Sequence, residues 1–580
     1  MKQLLRTSID AGLARLRKAG TLAHADTVDY QIETPKHETH GDFSTNVAML
    51  LAKSCRRNPR EVAQLLTAEL AQDALFERVD VAGPGFINFV VDDAHIFAVI
   101  NEIQHQATAY GRSTVGAGRK VQIEFVSANP TGPLHIGHGR GAAIGSVIAN
   151  LLDATGHDVC REYYVNDAGR QMDILALSVF LRYLQNCALD IELPAQAYQG
   201  DYVIDIANSL RDEHGDAWRI GPGSLLDDVK IEDAERALDA AIAAARNALG
   251  DERFDAIRNY AKDIILEGIK ADLQQFGVCF DVWYSESDLA RLGLIDDALE
   301  ILDARGHLYT AEGARWFRSE ALGDEKDRVV VRENGLKTYF ASDIAYHRDK
   351  IQRGFDEVID VWGADHHGYV ARVKAALTAL GEDPERLSVV LVQFAALVRG
   401  GTKVAMSTRG GEFVTLRELV DEVGPAAARF FYVMRRADQH LEFDLDLATA
   451  ESADNPVYYV QYAHARICSV ERQLDERQLD SNAAVQAAGT VRRSTAERRL
   501  AMMLWRYPEV IVHAAFAREP HLLPQYLRDL ATEFHAYYNA HKILVDDAAV
   551  RDSRLQLVRG VRQVLANGLE LLGIDAPLEM

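Results

Sequence analysis

Two histidines, His135 and His138, stand three residues apart in Pro133-Leu-His-Ile-Gly-His138, and Gly137, Gly139 and Gly141 are threaded among and after them. The string follows a strand-like segment and opens a helix. At such a junction, backbone N–H groups and the helix dipole attract phosphate. Glycines there remove the side chains that would hold a nucleotide off the backbone. Two imidazoles on one side of the turn can donate to charge developing on a phosphate during displacement. His135 and His138 are therefore catalytic candidates, and with Gly137 they are candidates to hold a nucleotide.

Other chemistries compete for these residues. Gly137-x-Gly139-x-x-Ala142 fits the dinucleotide fingerprint, with Glu162 ending the next strand as its ribose acid. That fold runs its strand almost directly into the first glycine, whereas Ala128 to Ile136 intervene here with two prolines and a histidine. A zinc site on the two histidines lacks a third ligand nearby, and no G-x-x-x-x-G-K-[ST] loop occurs. Two further constellations stand out. Tyr339 and Asp343, four apart, share one face if their segment is helical; the plainer reading makes Asp343 the N-cap of a helix Ile344–Lys350. Asp365-His366-His367 carries the D-H-H triplet of metal-dependent phosphoesterases, but the other Asp-rich motifs of that chemistry are missing from the sequence.

These residues need elements to hold them. Val121–Ser127 reads as a strand, the glycine turn opens a helix to about Thr155, and His157–Val165 reads as a second strand. Strand, helix and strand in so short a span make a βαβ unit and imply a parallel sheet, to which Glu357–Val361 and Leu387–Leu391 add strands. Before it, residues 1–115 read as a small α+β domain. It contains a helix around Pro59–Leu70, a strand Gly85–Val91 with Asn88 at its end, and a linker Gly111–Gly118. The parallel-sheet domain spans 118–400, with a helical insertion at about 190–270. Residues 401–454 form a loop and stem region. From Asn455 to 580 the 3.6-residue period predicts helices throughout, with Tyr458, Tyr459 and Tyr462 at the start.

The bulk properties agree with several domains. At 580 residues the chain is too long for one core, and the length suggests about four domains. No apolar run approaches the ~20 residues that cross a bilayer. The stripe Leu4, Leu5, Ile9, Leu13 and Leu16, with its arginines, resembles a transit peptide in form but reads better as the first helix of a folded domain. Five scattered cysteines argue against a disulfide framework and against structural zinc, and suit a reducing cytoplasm. The net charge of −23 governs solubility rather than specific contacts. A polyanion needs only a local basic face. Lys53, Arg56, Arg57 and Arg60 offer one, and Arg492, Arg493, Arg498, Arg499 and Arg506 another.

The string Glu124-Phe-Val-Ser-Ala-Asn-Pro-Thr-Gly-Pro-Leu-His-Ile-Gly-His138-Gly-Arg-Gly resembles the signature loop of class I aminoacyl-tRNA synthetases, and of the arginyl-tRNA synthetase family in particular. Gly41-Asp-Phe-Ser-Thr-Asn46, Gly83-Pro-Gly-Phe-Ile-Asn-Phe89, Tyr163–Met172, Asp324–Arg328, Trp362–Tyr369 and Leu571–Met580 extend the resemblance over nearly the whole chain. It implies an α/β Rossmann-type class I synthetase catalytic domain between an N-terminal α+β domain and an all-α C-terminal anticodon-binding domain.

The resemblance also implies an activity: ATP, with Mg²⁺, activates L-arginine, and the adenylate is passed to the 2′-hydroxyl of a tRNA that must already be bound. By matching residue to residue it assigns Glu124, Ser127, Asn129, His138, Tyr339, Asp343 and His366 to arginine. Gly137, His135, His138, Asp365, Met406 and Arg409 fall to ATP. Arg56, Arg57, Asn88 and Tyr459 are the expected tRNA contacts, and a cytoplasmic monomer without a structural metal is expected. One departure stands out. Where class I enzymes carry K-M-S-K-S, this chain has Ala405-Met-Ser-Thr-Arg409, so both lysines are missing and Arg409 and Lys403 are the nearest substitutes. The alternatives are a non-catalytic tRNA-binding paralogue, which would be expected to lack His135, His138 or Asp343, and a dinucleotide-dependent oxidoreductase.

Overall fold

The computed structural model describes residues 1–22, 28–35, 37–220, 233–404, 414–479 and 493–580. Helix Lys2–Lys18 buries Leu5, Ile9, Leu13 and Leu16 and places Arg15, Arg17 and Lys18 in its last turn, where cations suit the helix dipole. Its apolar stripe serves a folded core. The antiparallel sheet beside it runs in the order Ile32–Glu33, Phe43–Thr45, Phe86–Val91, Phe76–Ala82. Along Phe86–Val91 the buried Ile87, Phe89 and Val91 alternate with Phe86, Asn88 and Val90 on the open face. Asn88 therefore lies in mid-strand, paired with Ser44 and Asp80, and not at the strand's end.

Five parallel strands carry the candidate chemistry: β1 (Lys120–Glu124), β2 (Asp158–Val165), β3 (Val282–Ser285), β4 (Glu357–Gly363) and β5 (Leu387–Val392). Their order is β5-β4-β1-β2-β3. β1 is buried from Val121 to Glu124, as a central parallel strand covered on both faces must be. The chain steps from β1 outward to β2 and β3, then returns to the other side of β1 for β4 and β5. That reversal opens a crevice at the carboxyl ends of β1 and β4, the usual ligand site of open α/β sheets. β1 ends three residues earlier than its pattern suggests. Val126 and Ser127 take left-handed backbone conformations (φ 71° and 43°), which no strand can continue.

The helical insertion comprises Asp201–His214, Ala234–Leu249 and Asp251–Gln275, the last running past the expected end near 270. The C-terminal helices are Pro456–Glu476, Thr495–Ala517, Leu522–Ala540 and Ala548–Leu572. They clasp the N-terminal part of the chain. Trp505 Nε1 donates to the Ile96 carbonyl at 2.8 Å, Tyr110 Oη to that of Leu504 at 2.9 Å, and Asn567 Nδ2 to those of Ala107 and Tyr110 at 3.0 and 3.1 Å. Arg498 binds Asp42 at 2.6 Å, the Val91 carbonyl at 2.9 Å, and Asp93. Arg493 lies 4.4 Å above the Phe97 ring. The late basic run is thus partly spent on internal packing; Arg492 lies outside the described residues. Among the described residues no helix is long and apolar enough to cross a membrane.

Candidate active site

Beyond β1 the chain runs as an irregular loop and enters the helix Ile136–Ala154. His135 is its N-cap. His135 Nδ1 accepts from the Gly137 N–H at 3.1 Å, and His138 Nδ1 accepts from the His135 N–H at 3.3 Å. This reciprocal cap fixes the tautomers, because a ring nitrogen that accepts leaves the proton on the other one, Nε2. The two rings lie 3.7 Å apart. Burial lowers both imidazole pKa values, that of His138 to about 3 with the His135 ring adding to it. At neutral pH the pair are uncharged donors. Gly137 is required by this packing, since a Cβ there would lie 2.8 Å from the His135 ring.

The loop helix is held from outside. Tyr432 Oη donates to the Ile136 carbonyl at 3.0 Å. Buried Arg140 donates to the carbonyls of Gln393, Arg436 and Gln439 at 2.7–2.8 Å.

Glu124 turns inward. Its carboxylate accepts from Ser127 Oγ at 2.8 Å and from the ammonium of Lys350, a side chain with no exposed surface. Lys350 Nζ also donates to Asp360 at 2.7 Å, and the other Asp360 oxygen lies 2.9 Å from His347 Nε2. Burial alone would raise the Asp360 carboxyl, but Lys350 beside it holds it down to about 2. Ser127 is drawn in from both sides, its Oγ accepting the Tyr164 N–H at 3.1 Å and its carbonyl accepting Asn166 Nδ2 at 3.1 Å.

Tyr339 and Asp343 occupy one helix, Tyr339–Gln352, whose N-cap is Thr338. Asp343 sits in its second turn, so the N-cap reading of this residue does not hold. Tyr369 Oη donates to the Asp343 carboxylate. Arg372 lies 4.8 Å over the Tyr369 ring and is itself held by buried Asp324, which Arg328 grips with two bonds of 2.8 and 2.9 Å. Tyr339 is 56% exposed.

The residue that sequence reading missed is Glu286. It begins the short helix Glu286–Arg291 just after β3 and is buried, yet its Oε2 has no hydrogen-bond partner among the described residues. Burial first, and the Asp343 charge second, push its carboxyl up to about 7. Burial raises Asp343 as well. In the sequence Glu286 looks like an ordinary acid in a first helical turn; only the fold brings it within the electrostatic reach of Asp343. Two desolvated carboxyls that feel one another's charge favour a cation shared between them.

Asn129 donates to Gln171 Oε1 at 2.9 Å at the exposed edge of the loop. Asp365 and His366 follow β4, exposed, 3.5 Å apart. A cavity of about 850 Å³ opens over the loop, lined by Asn129, His135, His138, Tyr198, Tyr202 and Glu418 among others. Met406 and Arg409, with Ala405 and Thr408, lie outside the described residues; Lys403 ends the exposed strand Thr402–Lys403. Among the described residues no group of three or more His, Cys, Asp or Glu side chains is arranged to hold a metal ion.

Far from this crevice, Arg56 closes the helix Val47–Cys55 in a left-handed conformation, and Arg57 is exposed beside it. Tyr459 stacks obliquely 4.5 Å from the His535 ring at a second cavity of about 330 Å³, shared with Tyr458, Tyr462 and Arg466.

Three family models match the chain. Residues 3–91 match the arginyl tRNA synthetase N terminal domain, 99–442 the catalytic domain of class I tRNA synthetases (R), and 460–580 the DALR anticodon binding domain. The chain is 55% identical to the arginine–tRNA ligase of Thioalkalivibrio sulfidiphilus and 53% identical to that of Halorhodospira halophila, each over the full length of both proteins. The arginyl-tRNA synthetase structure of Thermus thermophilus, 24% identical, superposes over all of both chains with a TM-score of 0.73 and shares the fold. A signature loop on a parallel sheet, flanked by the two accessory domains of one family and matched end to end by its members, leaves one assignment: the chain belongs to the arginyl-tRNA synthetases, of class I.

Proposed function

We infer that this chain attaches L-arginine to its tRNA at the expense of ATP, and that Asp343 and Glu286 read the guanidinium. The observation that carries the pocket is the pair of desolvated carboxyls, one of them with an oxygen left unpartnered. A guanidinium presents five donors in a planar fork and always carries its charge, so it meets both acids at once. Tyr339 stacks on or hydrogen-bonds to it. Ser127, Asn129 and His366 orient the α-amino and carboxylate ends. Glu124, already bound to Lys350 and Ser127, shapes the floor of the site.

In the first step an oxygen of the arginine carboxylate attacks the α-phosphorus of ATP, the bond to the leaving oxygen breaks, and pyrophosphate departs. His135 and His138 donate through Nε2 to the phosphate oxygens as charge builds there. The backbone at Gly137 lies against the nucleotide, and Asp365 borders it. A divalent cation carried in with ATP would neutralise phosphate charge; the described residues offer it no protein cage. Lys403 and Arg409, with Met406 alongside, take over the part of the missing lysines. In the second step the 2′-hydroxyl of the terminal ribose attacks the arginyl carbonyl and AMP leaves.

The tRNA lies across both accessory domains. Arg56 and Arg57 meet its phosphates, Asn88 reads an unstacked base from the open sheet face, and Tyr459 offers a stacking ring. The enzyme acts as a monomer in the cytoplasm, in keeping with its five free thiols.

Asp343→Asn tests the pocket. It keeps the shape and removes the charge, at about 1.5–3 kcal/mol for a charge-assisted bond. Calorimetry should find arginine affinity at least about tenfold weaker and ATP affinity barely changed. Unaltered arginine binding would remove the pocket assignment.

A further inference from the structure

Arg429 is a buried cation whose hydrogen-bonding set, among the described residues, holds no carboxylate. It lies on helix Pro425–Val433, and its guanidinium donates to four acceptors from three distant parts of the chain. Nε bonds the Leu572 carbonyl at 2.7 Å, at the end of the last C-terminal helix. Nη1 bonds the Phe276 and Gly277 carbonyls at 3.1 Å each, at the end of the long insertion helix. Nη2 bonds Ser146 Oγ at 3.1 Å, on the helix that the two active-site histidines open. Two helix C-termini thus aim their free carbonyls and negative dipole ends at one positive charge. Gly573 makes the approach possible: it is left-handed at φ +68°, and a Cβ there would lie 2.6 Å from Nη2. Burial among neutral acceptors lowers the Arg429 pKa to about 10, so it stays charged.

One turn further along the same helix, Tyr432 holds the Ile136 carbonyl, next to His135. Asn150, further down the histidine helix, donates to the Leu571 carbonyl at 3.1 Å. The end of the C-terminal helix is therefore joined to the histidine helix directly and through Arg429, and the same helix that carries Arg429 grips the catalytic end of the histidine helix.

We propose that Arg429 is a positioning residue that couples the seating of the C-terminal domain on tRNA to the placement of His135 and His138. The proposal rests on the aminoacylation reading. A shift of the Leu571–Gly573 end moves the guanidinium, and the helix Pro425–Val433 carries that motion rigidly to Ile136.

The test is a thermodynamic cycle on kcat at saturating tRNA, crossing Arg429→Met with a substituted anticodon in the arginine tRNA. Wild-type enzyme, which must charge the unaltered tRNA with arginine if the functional reading is right, should lose kcat when the anticodon is changed. In Arg429→Met that discrimination should shrink at least fivefold, with KM for ATP and arginine within twofold of wild type. A merely structural residue would lower kcat by the same factor on both tRNAs, leaving the discrimination intact, and that result overturns the proposal. If circular dichroism shows Arg429→Met unfolded, the same cycle with Tyr432→Phe decides. It removes the bond through which the helix Pro425–Val433 holds the Ile136 carbonyl, and there too unchanged discrimination rejects the coupling.

Discussion

Glu286 holds a proton below a pH of about 7, and a guanidinium selects the ionised form. Arginine binding should therefore expel a proton, and affinity should rise between pH 6 and 8 before levelling off. Glu286→Gln should flatten that slope, which calorimetry in buffers of different ionisation enthalpy would read directly. The sign for stability is the reverse. A carboxyl whose folded pKa is raised from 4.5 to about 7 binds its proton more tightly when folded, so the unliganded enzyme loses stability as pH climbs through that window. For the histidines, the lowered pKa of His138 keeps the ring neutral well below pH 6, and the chain is destabilised as pH falls below about 6.5 toward 3. Removing either donor should slow tRNA-dependent ATP–pyrophosphate exchange by roughly 10²–10³. His135 also caps its helix, so alanine there combines two losses. His135→Asn restores a good cap and should recover stability, measured by melting, without recovering the rate. Normal exchange in that variant would dismiss His135 from the chemistry. The histidine loop was readable in the sequence because local geometry fixes it: a turn, glycines and a helix start. Glu286 was not, because its partner Asp343 stands 57 positions further along the chain and no local pattern links them.

At the scale of elements, the buried ammonium of Lys350 binds β1 to β4 through Glu124 and Asp360. Replacing it with Met keeps the volume but takes the shared ammonium from two buried carboxylates, leaving Glu124 with Ser127 and Asp360 with His347. The expected loss is on the order of 3–5 kcal/mol of stability, with activity lost alongside. Chemical denaturation checks this, and a variant as stable as wild type would show the network to be dispensable. Four of the five parallel strands were legible from their apolar runs, whereas β3 was not, and the C-terminal stretch was legible as helical from its period. The early end of β1 was not. Phe125, Val126 and Ser127 continue a strand-like composition, but the hydrogen bonds that Ser127 donates to Glu124 and accepts from Tyr164 and Asn166 turn the backbone left-handed. Tertiary contacts overrode the local preference. Asp343 was ambiguous for a related reason: a helix that begins at Tyr339 leaves it in the second turn, and composition alone does not fix where a helix starts.

Over the whole molecule, a chain of net charge −23 is expected to bind a polyanion through a small basic area. Arg56→Ala with Arg57→Ala should weaken tRNA binding and reduce the slope of log K against log salt by about 1.5, near 0.7–0.9 for each lost phosphate contact. ATP–pyrophosphate exchange at saturating tRNA should be unchanged. An unaltered salt slope would place the tRNA elsewhere. The basic runs could not be ranked from sequence, since a surface arginine and one buried in an interface look alike there: Arg498 proves to be a clamp, its partner Asp42 lying 456 residues away. That separation has a consequence for biosynthesis. Ribosomes add about 5–20 residues per second, so the N-terminal sheet waits about 20 to 90 s for the arginine that locks it. Throughout that interval Phe97 and the rest of helix Asp93–Gln106 lack the cover of Arg493 and Trp505. The first domain made is the last to be secured, and a nascent chain stalled before residue 493 presents an apolar helix face that chaperones would be expected to hold.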